Sequence, residues 1–314
     1  MKLAVINNEL AIVTPEHGCY YPTAEIAKLV GTPLLGQNNI DIAMDGALLN
    51  RMYDALESPE ASAFSKSLDD VVYDLPIPVP PSFRDAYAFL THVKTCREAR
   101  GQEVPQIFYE CPAFYFSNPA VMKGEGPVKV GPYQQDKLDY ELEVAVVMGK
   151  DVEDISVADA DQAIAGMMLL NDWSARKIQA ERELPMMMGP NKSKDFATTA
   201  GPWLVTKAEL APYITETPEG NHYDIDIRAL VNGTPLSGGN VNSIHYTFAQ
   251  IIHHIAKGTI VKKGDVIGSG TVGGGCMLEL NLTKQLDNQW LKDGDVVELD
   301  SEILGSLTNT VVYK

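Results

Sequence analysis

The sequence has few basic residues, and they are scattered along the chain. Its 25 lysine and arginine residues stand against 42 aspartate and glutamate residues, so the formal net charge at pH 7 is -17. Nucleic acids and anionic membrane surfaces are bound through basic patches, and no block of lysine or arginine occurs here. We therefore expect neither a nucleic acid nor a membrane as a partner.

Paired cysteines and long apolar runs are also missing. The four cysteines, Cys19, Cys96, Cys111 and Cys276, are far apart and form no CxxC pair, which argues against a disulfide framework or a cysteine-rich zinc site. The apolar run at the N-terminus is too short for a signal peptide, and no run approaches the length of a membrane-spanning helix. These features predict a soluble, reduced, cytoplasmic protein.

The sequence does contain an alternating acidic stretch at residues 137–150, KLDYELEVAVVMGK. Asp139, Glu141 and Glu143 alternate with apolar residues, which predicts a strand with three carboxylates on one side. Like charges on one face repel unless they are neutralised, and a divalent cation such as Mg²⁺ or Ca²⁺ would neutralise them. An exposed acidic face on a half-buried strand explains this pattern equally well.

A proline-rich segment divides the chain. Residues 75–81, LPIPVPP, fit neither a central strand nor a helix interior. We therefore predict a small N-terminal domain at residues 1–75, opened by a hairpin at residues 3–13, and a larger domain at residues 76–314.

The larger domain begins with a stretch of helical appearance. Residues 83–100 are predicted to form one helix, on which Asp85 and His92 lie two turns apart and project from nearly the same face. Taken singly, Asp85 is explained as a charge in the first turn of a helix and His92 as a hydrogen-bonded core histidine. Further along, residues 158–170 are predicted to form a helix next to Asp172, which would then be a capping residue.

The glycine-rich segment at residues 268–273 matches GxGxxG literally. A dinucleotide fingerprint must open a helix directly after its strand, whereas residues 276–282 alternate like a second strand that carries Glu279. We therefore reject a nicotinamide cofactor. We expect the backbone N–H groups of this loop and the Thr271 hydroxyl to face a ligand.

Four strings in combination resemble the fumarylacetoacetate hydrolase family: KLDYELEVAVVMGK, NDWSARKIQ, KDFATT and KKGDVIGSGT…GCMLELN. The string DAYAFLTH also resembles an aspartate–tyrosine–histidine element of the fumarylacetoacetases, and the motifs span most of residues 83–304. The resemblance implies an α+β, strand-rich fold, in which a fumarylacetoacetase-type mixed β-roll or sandwich follows a small N-terminal α/β domain. It also implies a homodimer.

The resemblance further assigns roles to individual residues. The implied metal ligands are Asp85, Glu141, Glu143 and Asp172. The implied catalytic residues are His92 as general base, Glu279 as its orienting partner and Lys194. We expect Lys194, Gln179 or Arg176 to donate to the tetrahedral oxyanion. The implied substrate contacts are Tyr87, Tyr115, Arg176, Gln179 and Thr271. The implied cofactor is a divalent metal cation, Mg²⁺ first, with Mn²⁺ or Ca²⁺ as alternatives.

The sequence departs from the family pattern at positions that contact substrate. Lys177 stands where an aspartate follows the arginine, and Glu183 stands where a tyrosine is expected. The family's substrate arginine falls at Gly101, one residue out of register with Arg100. These departures spare the implied metal ligands and the histidine–glutamate pair, so they concern the substrate more than the chemistry.

The implied reaction is hydrolysis of a carbon–carbon bond in a β-diketone acid of the fumarylacetoacetate or acylpyruvate type. Such cleavage expels a carbanion, which a metal chelating both ketone oxygens would hold as an enolate. His92, at its ordinary pKa, would take a proton from water near neutral pH. One alternative is a decarboxylase, isomerase or hydratase of a related keto acid; another is a non-catalytic cation- or metabolite-binding protein.

Overall fold

The structure of the protein, a computed structural model, describes residues 1–314. The strands of the first half are β1 (Lys2–Ile6), β2 (Glu9–Thr14), β3 (Cys19–Pro22), β4 (Lys66–Ser67), β5 (Tyr73–Asp74), β6 (Phe83–Ala86), β7 (Phe114–Ser117), β8 (Met122–Lys123), β9 (Gly126–Val130), β10 (Leu138–Asp139), β11 (Leu142–Met148) and β12 (Val152–Glu153). The strands of the second half are β13 (Ile164–Asp172), β14 (Ser174–Ala175), β15 (Thr198–Thr206), β16 (Ile214–Thr217), β17 (Gly220–Tyr223), β18 (Asp226–Val231), β19 (Thr234–Asn240), β20 (Ile260–Val261), β21 (Val266–Gly268), β22 (Val296–Ser301) and β23 (Gly305–Tyr313).

The helices are short and lie between the strands. They are α1 (Thr23–Leu29), α2 (Asn39–Met44), α3 (Gly46–Leu56), α4 (Pro59–Ser62), α5 (Leu90–Glu98), α6 (Val157–Ala160), α7 (Arg176–Ile178), α8 (Leu184–Met186), α9 (Lys207–Leu210), α10 (Phe248–Ile255) and α11 (Met277–Leu282). A π-helical turn, Gln179–Glu183, joins α7 to α8. A membrane-spanning helix would have to be longer and more apolar than any of these.

One mixed sheet of 12 strands organises the molecule. Its order is β4-β3-β2-β1-β15-β13-β11-β21-β6-β7, with β5 paired to β1 and β8 paired to β15. A second sheet of 5 strands has the order β19-β18-β22-β23-β9, and three pairs of short strands complete the set. The strand-rich, mixed architecture agrees with the fold class expected from the sequence.

The N-terminal strands extend the large sheet. The predicted hairpin at residues 3–13 forms as β1 and β2, and both residues of its turn, Asn7 and Asn8, have positive φ, the conformation that tight hairpin turns require. β1 also pairs antiparallel with β15, with Leu3 opposite Leu204. The predicted division between residues 75 and 76 therefore crosses a continuous sheet.

β11 lies in the middle of the large sheet and is buried on both faces. Leu142 and Val144 belong to a hydrophobic cluster of 52 residues, whereas Ala145 and Val147 belong to a second cluster of 23 residues. The sheet thus has a core on each side, as period-two alternation requires of a central strand. The three carboxylates of this stretch are buried too, so the interpretation of an exposed acidic face is wrong.

Two helices expected from the sequence are wrong in part or in whole. Residues 83–100 form strand β6, which pairs with β21 and β7, and only then helix α5. Residues 158–170 contribute the end of α6 and most of β13, which is buried along its full length between β11 and β15. A continuous apolar run does not distinguish a buried strand from a buried helix.

The strand expected at residues 276–282 is also wrong, because Met277–Leu282 is helix α11. The free N–H groups of its first turn are satisfied from a distance: Met277 N and Leu278 N donate to the carboxylate of Asp139, at 2.8 and 3.0 Å. A carboxylate at a helix N-terminus accepts hydrogen bonds from unpaired amides and complements the helix dipole. Tertiary contacts therefore decide the conformation of a segment whose own pattern favours a strand.

Candidate active site

A cavity of about 330 Å³ opens beside β6, β11, α5 and the glycine-rich loop. It is lined by ten of the twelve site residues expected from the sequence: Asp85, Tyr87, His92, Tyr115, Glu141, Glu143, Arg176, Gln179, Lys194 and Thr271. The other two, Asp172 and Glu279, hydrogen-bond to lining residues from behind. A larger groove of about 820 Å³ near the N-terminal strands contains none of the twelve.

Four carboxylates meet at one side of this cavity because neighbouring strands carry them. Glu143 lies on β11, with Glu141 directly before it, while Asp172 ends β13 and Asp85 lies on β6. All four are at most 4% exposed. The expectations that Asp85 shares a helix with His92 and that Asp172 caps a helix are therefore wrong, although both residues reach the site.

Two side chains lie among the carboxylates. The Lys194 ammonium donates to Asp172 Oδ2 at 2.6 Å and also to Glu141 Oε2. The Tyr115 hydroxyl lies 2.9 Å from Asp85 Oδ2 and also contacts Asp172. Because these groups occupy the space between them, the four carboxylates are not drawn together as closely as the ligands of a bound ion.

The chemistry of the four carboxylates fits a divalent cation. Glu143 Oε2 and Asp172 Oδ1 are buried and accept no hydrogen bond. Burial, followed by the negative charge of Asp172, raises the pKa of Asp85 to about 7, and burial and the charge of Asp85 raise the pKa of Glu143 well above its ordinary value. The negative charge of the group therefore exceeds what Lys194 and Arg176 neutralise, and a hard cation with oxygen ligands would balance it.

Arg176 is buried and fully engaged within the protein. Its Nε donates to Asp139 at 2.8 Å, its Nη2 to Glu141 at 2.7 Å and its Nη1 to Gln179 at 3.1 Å. Burial would raise the pKa of Glu141, but the charges of Lys194 and Arg176 outweigh it and lower that pKa. Arg176 therefore keeps Glu141 ionised and fixed, and its guanidinium nitrogens are already paired, so we expect it to position the site more than to contact substrate.

Asp139 has a role that the sequence pattern did not specify. Its carboxylate accepts from Arg176 on one side and from the N-terminus of α11 on the other, so it fixes the helix that carries Glu279.

The contact between Asp139 and α11 also changes the reason for rejecting a dinucleotide site. A helix does follow the glycine-rich segment, but its first N–H groups are occupied by Asp139 and are not free for a pyrophosphate.

His92 and Glu279 form a buried pair. His92 Nδ1 lies 2.6 Å from Glu279 Oε2, and the two residues are 5% and 1% exposed. Burial lowers the pKa of His92, but hydrogen bonds with Cys276, Cys96 and Glu279 outweigh it and raise the pKa well above its ordinary value. The expectation of an ordinary histidine pKa is therefore wrong, because these hydrogen bonds raise the pKa of His92.

Two buried cysteines flank this pair and were not expected at the site. Cys276 Sγ lies 3.7 Å from Glu279 Oε2, and Cys96 Sγ lies 3.9 Å from His92 Nε2. Burial raises the pKa of the Cys276 thiol to about 12. Cys96 follows His92 by four residues on α5, so helical spacing was a signal for it; Cys276 comes from a distant loop and left no such signal.

Tyr87 and Thr271 complete the cavity wall near His92. The Tyr87 ring packs edge-on against His92, with 5.3 Å between ring centroids, and burial raises its pKa to about 12, so its hydroxyl stays protonated. Thr271 Oγ1 donates to Glu143 Oε1 at 3.3 Å. Both residues line the cavity, and the Thr271 hydroxyl is already bound to Glu143.

The departures from the family pattern have clear structural positions. Glu183 is buried and accepts from Ser193 N at 2.9 Å, which fixes the residue directly before Lys194. Lys177 is exposed and pairs with Asp136 away from the cavity. Arg97 and Arg100 line the cavity, so positive charge is present there although Gly101 occupies the family's arginine position.

Comparison with known proteins finds relatives by sequence and by fold. The family model described as "Fumarylacetoacetate (FAA) hydrolase C-terminal" matches residues 82–312. Fumarylacetoacetase of Oryza sativa subsp. japonica is 30% identical over 285 residues, which cover 74% of this chain and 66% of the relative. The chain spans 46% to 66% of the length of the curated relatives that it matches first.

Solved structures share the fold at lower identity. A probable 2-hydroxyhepta-2,4-diene-1,7-dioate isomerase from Mycobacterium abscessus superimposes with a TM-score of 0.70 at 22% identity and covers 100% of this chain and 98% of its own. Maleylpyruvate hydrolase from Sphingobium sp. SYK-6, in complex with manganese (II) ion and pyruvate, gives a TM-score of 0.69 at 18% identity and covers 100% of this chain and 99% of its own. These likenesses confirm the strand-rich fold with its small N-terminal domain. By its sequence match over most of its length, the chain belongs to the fumarylacetoacetate hydrolase family.

Proposed function

We propose that the protein hydrolyses a carbon–carbon bond in a β-diketone acid of the acylpyruvate or fumarylacetoacetate type. The observation that carries this proposal is that one cavity is bordered both by a histidine–glutamate pair and by a group of four buried carboxylates. Hydrolysis needs the first to activate water and the second to hold an electrophilic cation.

The proposed ligands of a divalent cation are Asp85, Glu141, Glu143 and Asp172. We propose Mg²⁺ first, with Mn²⁺ or Ca²⁺ as alternatives, since all accept carboxylate oxygens. When bound, the cation supplies Lewis acidity that draws negative charge onto the carbonyl oxygens of a keto acid. The manganese-bound maleylpyruvate hydrolase of similar fold supports a divalent cation.

His92 is the proposed general base. Its Nδ1–H faces Glu279, so Nε2 is the nitrogen that takes a proton from water. Glu279 holds the ring in this orientation and stabilises the imidazolium that forms, as the third member of a catalytic triad does. The proton is then available to the carbon that leaves when the bond breaks.

Lys194 and Gln179 are the proposed donors to the tetrahedral oxyanion. The burial of Lys194 lowers its pKa, but Asp172 and Glu141 outweigh this effect and raise it, so the side chain stays charged and cannot act as a base. Gln179 accepts from Arg176 through Oε1, which leaves its amide N–H groups free. Preorganised donors of this kind act strongly in a buried site.

The proposed substrate is a small acid. The cavity volume is at the lower end of the range for ligand pockets, and Arg97 and Arg100 at its wall offer positive charge to a carboxylate. The names of the relatives, fumarylacetoacetase and maleylpyruvate hydrolase, describe proteins that act on acids of this kind. We also propose a homodimer, which light scattering of the purified protein would test.

A second candidate is isomerisation of a related keto acid. Proteins of the same fold include the probable isomerase from Mycobacterium abscessus, and isomerisation needs a proton transfer but no attacking water. Decarboxylation and hydration of such acids share the same requirement for a bound cation. The buried pair of His92 and Glu279 favours hydrolysis, because an oriented base can take a proton from an attacking water.

The decisive experiment is a substrate panel followed by product analysis. Acylpyruvates and fumarylacetoacetate are incubated with the protein in water labelled at oxygen. The incubation is repeated after EDTA treatment and again after Mg²⁺, Mn²⁺ or Ca²⁺ is restored. We expect two fragments, label in the new carboxylate, loss of turnover with EDTA and loss of turnover in His92→Ala. One unlabelled product of unchanged mass would instead identify an isomerase, and metal binding without turnover would identify a binding protein.

A further inference from the structure

A compact set of nitrogen, sulfur and oxygen ligand atoms lies behind the general base. Ligand atoms of His92, Cys276 and Glu279 all lie within 4.8 Å of one another. The three residues are 5%, 0% and 1% exposed, and they come from α5, from the residue before α11 and from α11 itself. Among His, Cys, Asp and Glu side chains, this is the one group of three so closely spaced.

Glu279 also has an unsatisfied oxygen in this group. Its Oε2 accepts from His92 Nδ1 at 2.6 Å and from Cys276 Sγ at 3.7 Å. Its Oε1 is buried and accepts no hydrogen bond. A buried carboxylate oxygen without a donor is costly, and most such oxygens in folded proteins have a partner. This oxygen is therefore free to bind a cation.

We propose that His92, Cys276 and Glu279 form a second metal site, selective for Zn²⁺ and separate from the carboxylate site. Imidazole, thiolate and carboxylate are the ligands that Zn²⁺ takes in proteins, whereas Mg²⁺ and Ca²⁺ take oxygen ligands. The carboxylate site would thus take a hard cation such as Mg²⁺, and the site behind His92 would take the softer Zn²⁺. Metal binding at this site does not depend on which reaction the carboxylate site supports, whereas the inhibition derived below rests on the proposed role of His92 as general base.

All three ligand separations lie within 4.8 Å, and the sulfur–oxygen and nitrogen–oxygen separations can be compared with those around a tetrahedral ion. With Zn–N near 2.0–2.1 Å and Zn–S near 2.3 Å, neighbouring ligand atoms lie roughly 3.3–3.6 Å apart. The sulfur–oxygen distance of 3.7 Å already matches. The nitrogen–oxygen distance of 2.6 Å must widen by less than about 1 Å, and the fourth position is left for water or for the free oxygen of Glu279.

Zinc at this site would inhibit the enzyme. On binding, the Cys276 thiol loses its proton to solvent, and His92 loses the proton on Nδ1, so that thiolate and imidazole become ligands. The ion then replaces the hydrogen bond between His92 and Glu279. When Nδ1 of His92 is bound to a metal, Glu279 no longer stabilises the protonated imidazole. Turnover therefore falls, although the site formed by the four carboxylates is unchanged.

The test uses Co²⁺ as a spectroscopic probe, in the presence of excess Mg²⁺ to occupy the carboxylate site. We expect the wild-type protein to show a thiolate-to-cobalt charge-transfer absorption that one equivalent of Zn²⁺ removes. Cys276→Ser should abolish this absorption, and Glu279→Gln should weaken Co²⁺ binding at least tenfold. Cys96→Ser and Cys111→Ser are matched controls that should keep the absorption, because neither thiol belongs to the group.

Inhibition provides the second measurement. The concentration of Zn²⁺ that halves turnover, with each variant compared with its own zinc-free rate, should rise at least tenfold in Cys276→Ser and stay unchanged in Cys111→Ser. An absorption that persists in Cys276→Ser, is lost in Cys96→Ser, or is absent from the wild type overturns the proposal. The absorption requires no turnover, so a failure of the proposed reaction leaves this test intact.

Discussion

Replacing Glu279 by glutamine separates the charge of this residue from its shape. Glutamine keeps an acceptor oxygen for His92 Nδ1 but removes the negative charge that stands 2.6 Å from the ring. The pair is almost completely buried, so water does not screen the interaction. The substitution therefore tests whether the carboxylate stabilises a protonated base.

The size of the effect follows from the type of bond that is lost. A hydrogen bond to a charged group contributes about 1.5–3 kcal/mol, and about 1.4 kcal/mol corresponds to a factor of ten in rate. We therefore expect Glu279→Gln to lower the plateau of kcat/KM about 10- to 150-fold. Cation binding should be unchanged, because Glu279 is not among the four carboxylates.

The pH profile should move in a defined direction. A general base acts when it is deprotonated, so the acid limb of kcat/KM follows the pKa of His92. That pKa is raised in part by Glu279, so without the carboxylate charge it falls and the limb moves to lower pH. Substrate turnover measured between pH 5 and pH 9, at saturating Mg²⁺, gives both the plateau and the limb.

A matched control is Glu125→Gln. Glu125 is a half-buried glutamate that accepts from Tyr73 N and Thr308 N, far from the catalytic pair. It should leave both the plateau and the limb in place. An acid limb that stays where it is in Glu279→Gln, with full kcat/KM, would refute the assignment of His92 and Glu279 as a proton-accepting pair.

Three further predictions test the surrounding groups. Asp139→Asn breaks a buried ion pair with Arg176 and should lower the free energy of unfolding by about 3–5 kcal/mol, as measured by urea denaturation; an unchanged unfolding midpoint would contradict this role. Glu143→Gln should weaken Mn²⁺ binding at least tenfold in calorimetric titration while the melting temperature stays within a few degrees, and equal affinity in both proteins would exclude Glu143 as a ligand. Lys194→Met should lower kcat about 10²- to 10³-fold, whereas the exposed Lys177→Met should not change it measurably; similar rates for the two variants would remove Lys194 from the oxyanion site.

The acidic stretch was visible in the sequence because its pattern is local, whereas Asp85 and Asp172 were assigned only through the resemblance. Asp139, Glu141 and Glu143 alternate over five residues, which predicts a single strand. That prediction is wrong in part, because Asp139 ends β10, Glu141 lies between the strands and only Glu143 belongs to β11. The pattern could not show that the strand is central. Burial of the carboxylates depends on β13 and β21 on either side, which come from distant parts of the chain.

The errors arose where tertiary contacts override local preference. Residues 164–170 carry no polar side chain, so periodicity does not separate a buried strand from a helix. Residues 277–282 alternate like a strand, yet they form a helix whose N-terminus is bound by Asp139, which is 138 residues away. The order of the motifs along the chain nevertheless identified the family, because that order does not depend on the conformation of each segment.

The position of the Cys276 thiol near His92 could not be predicted from the sequence. Cys276 contacts Glu279, three residues further on, but its proximity to His92 depends on how α5 packs beside α11. Counting cysteines and their spacings found no metal motif, since such motifs are recognised by local spacing. A mixed site assembled from separate elements has no local spacing to recognise.

The pairing of β1 with β15 limits how this chain can be divided into separately expressed fragments. A fragment that starts at residue 76 would lack β1, which covers β15 along Trp203–Val205. The exposed strand would then offer unpaired N–H and C=O groups, together with apolar side chains, to any other chain in solution. Expression of residues 76–314 by themselves should therefore yield aggregates, and a domain exchange has to transfer the first hairpin together with the residues that line the cavity.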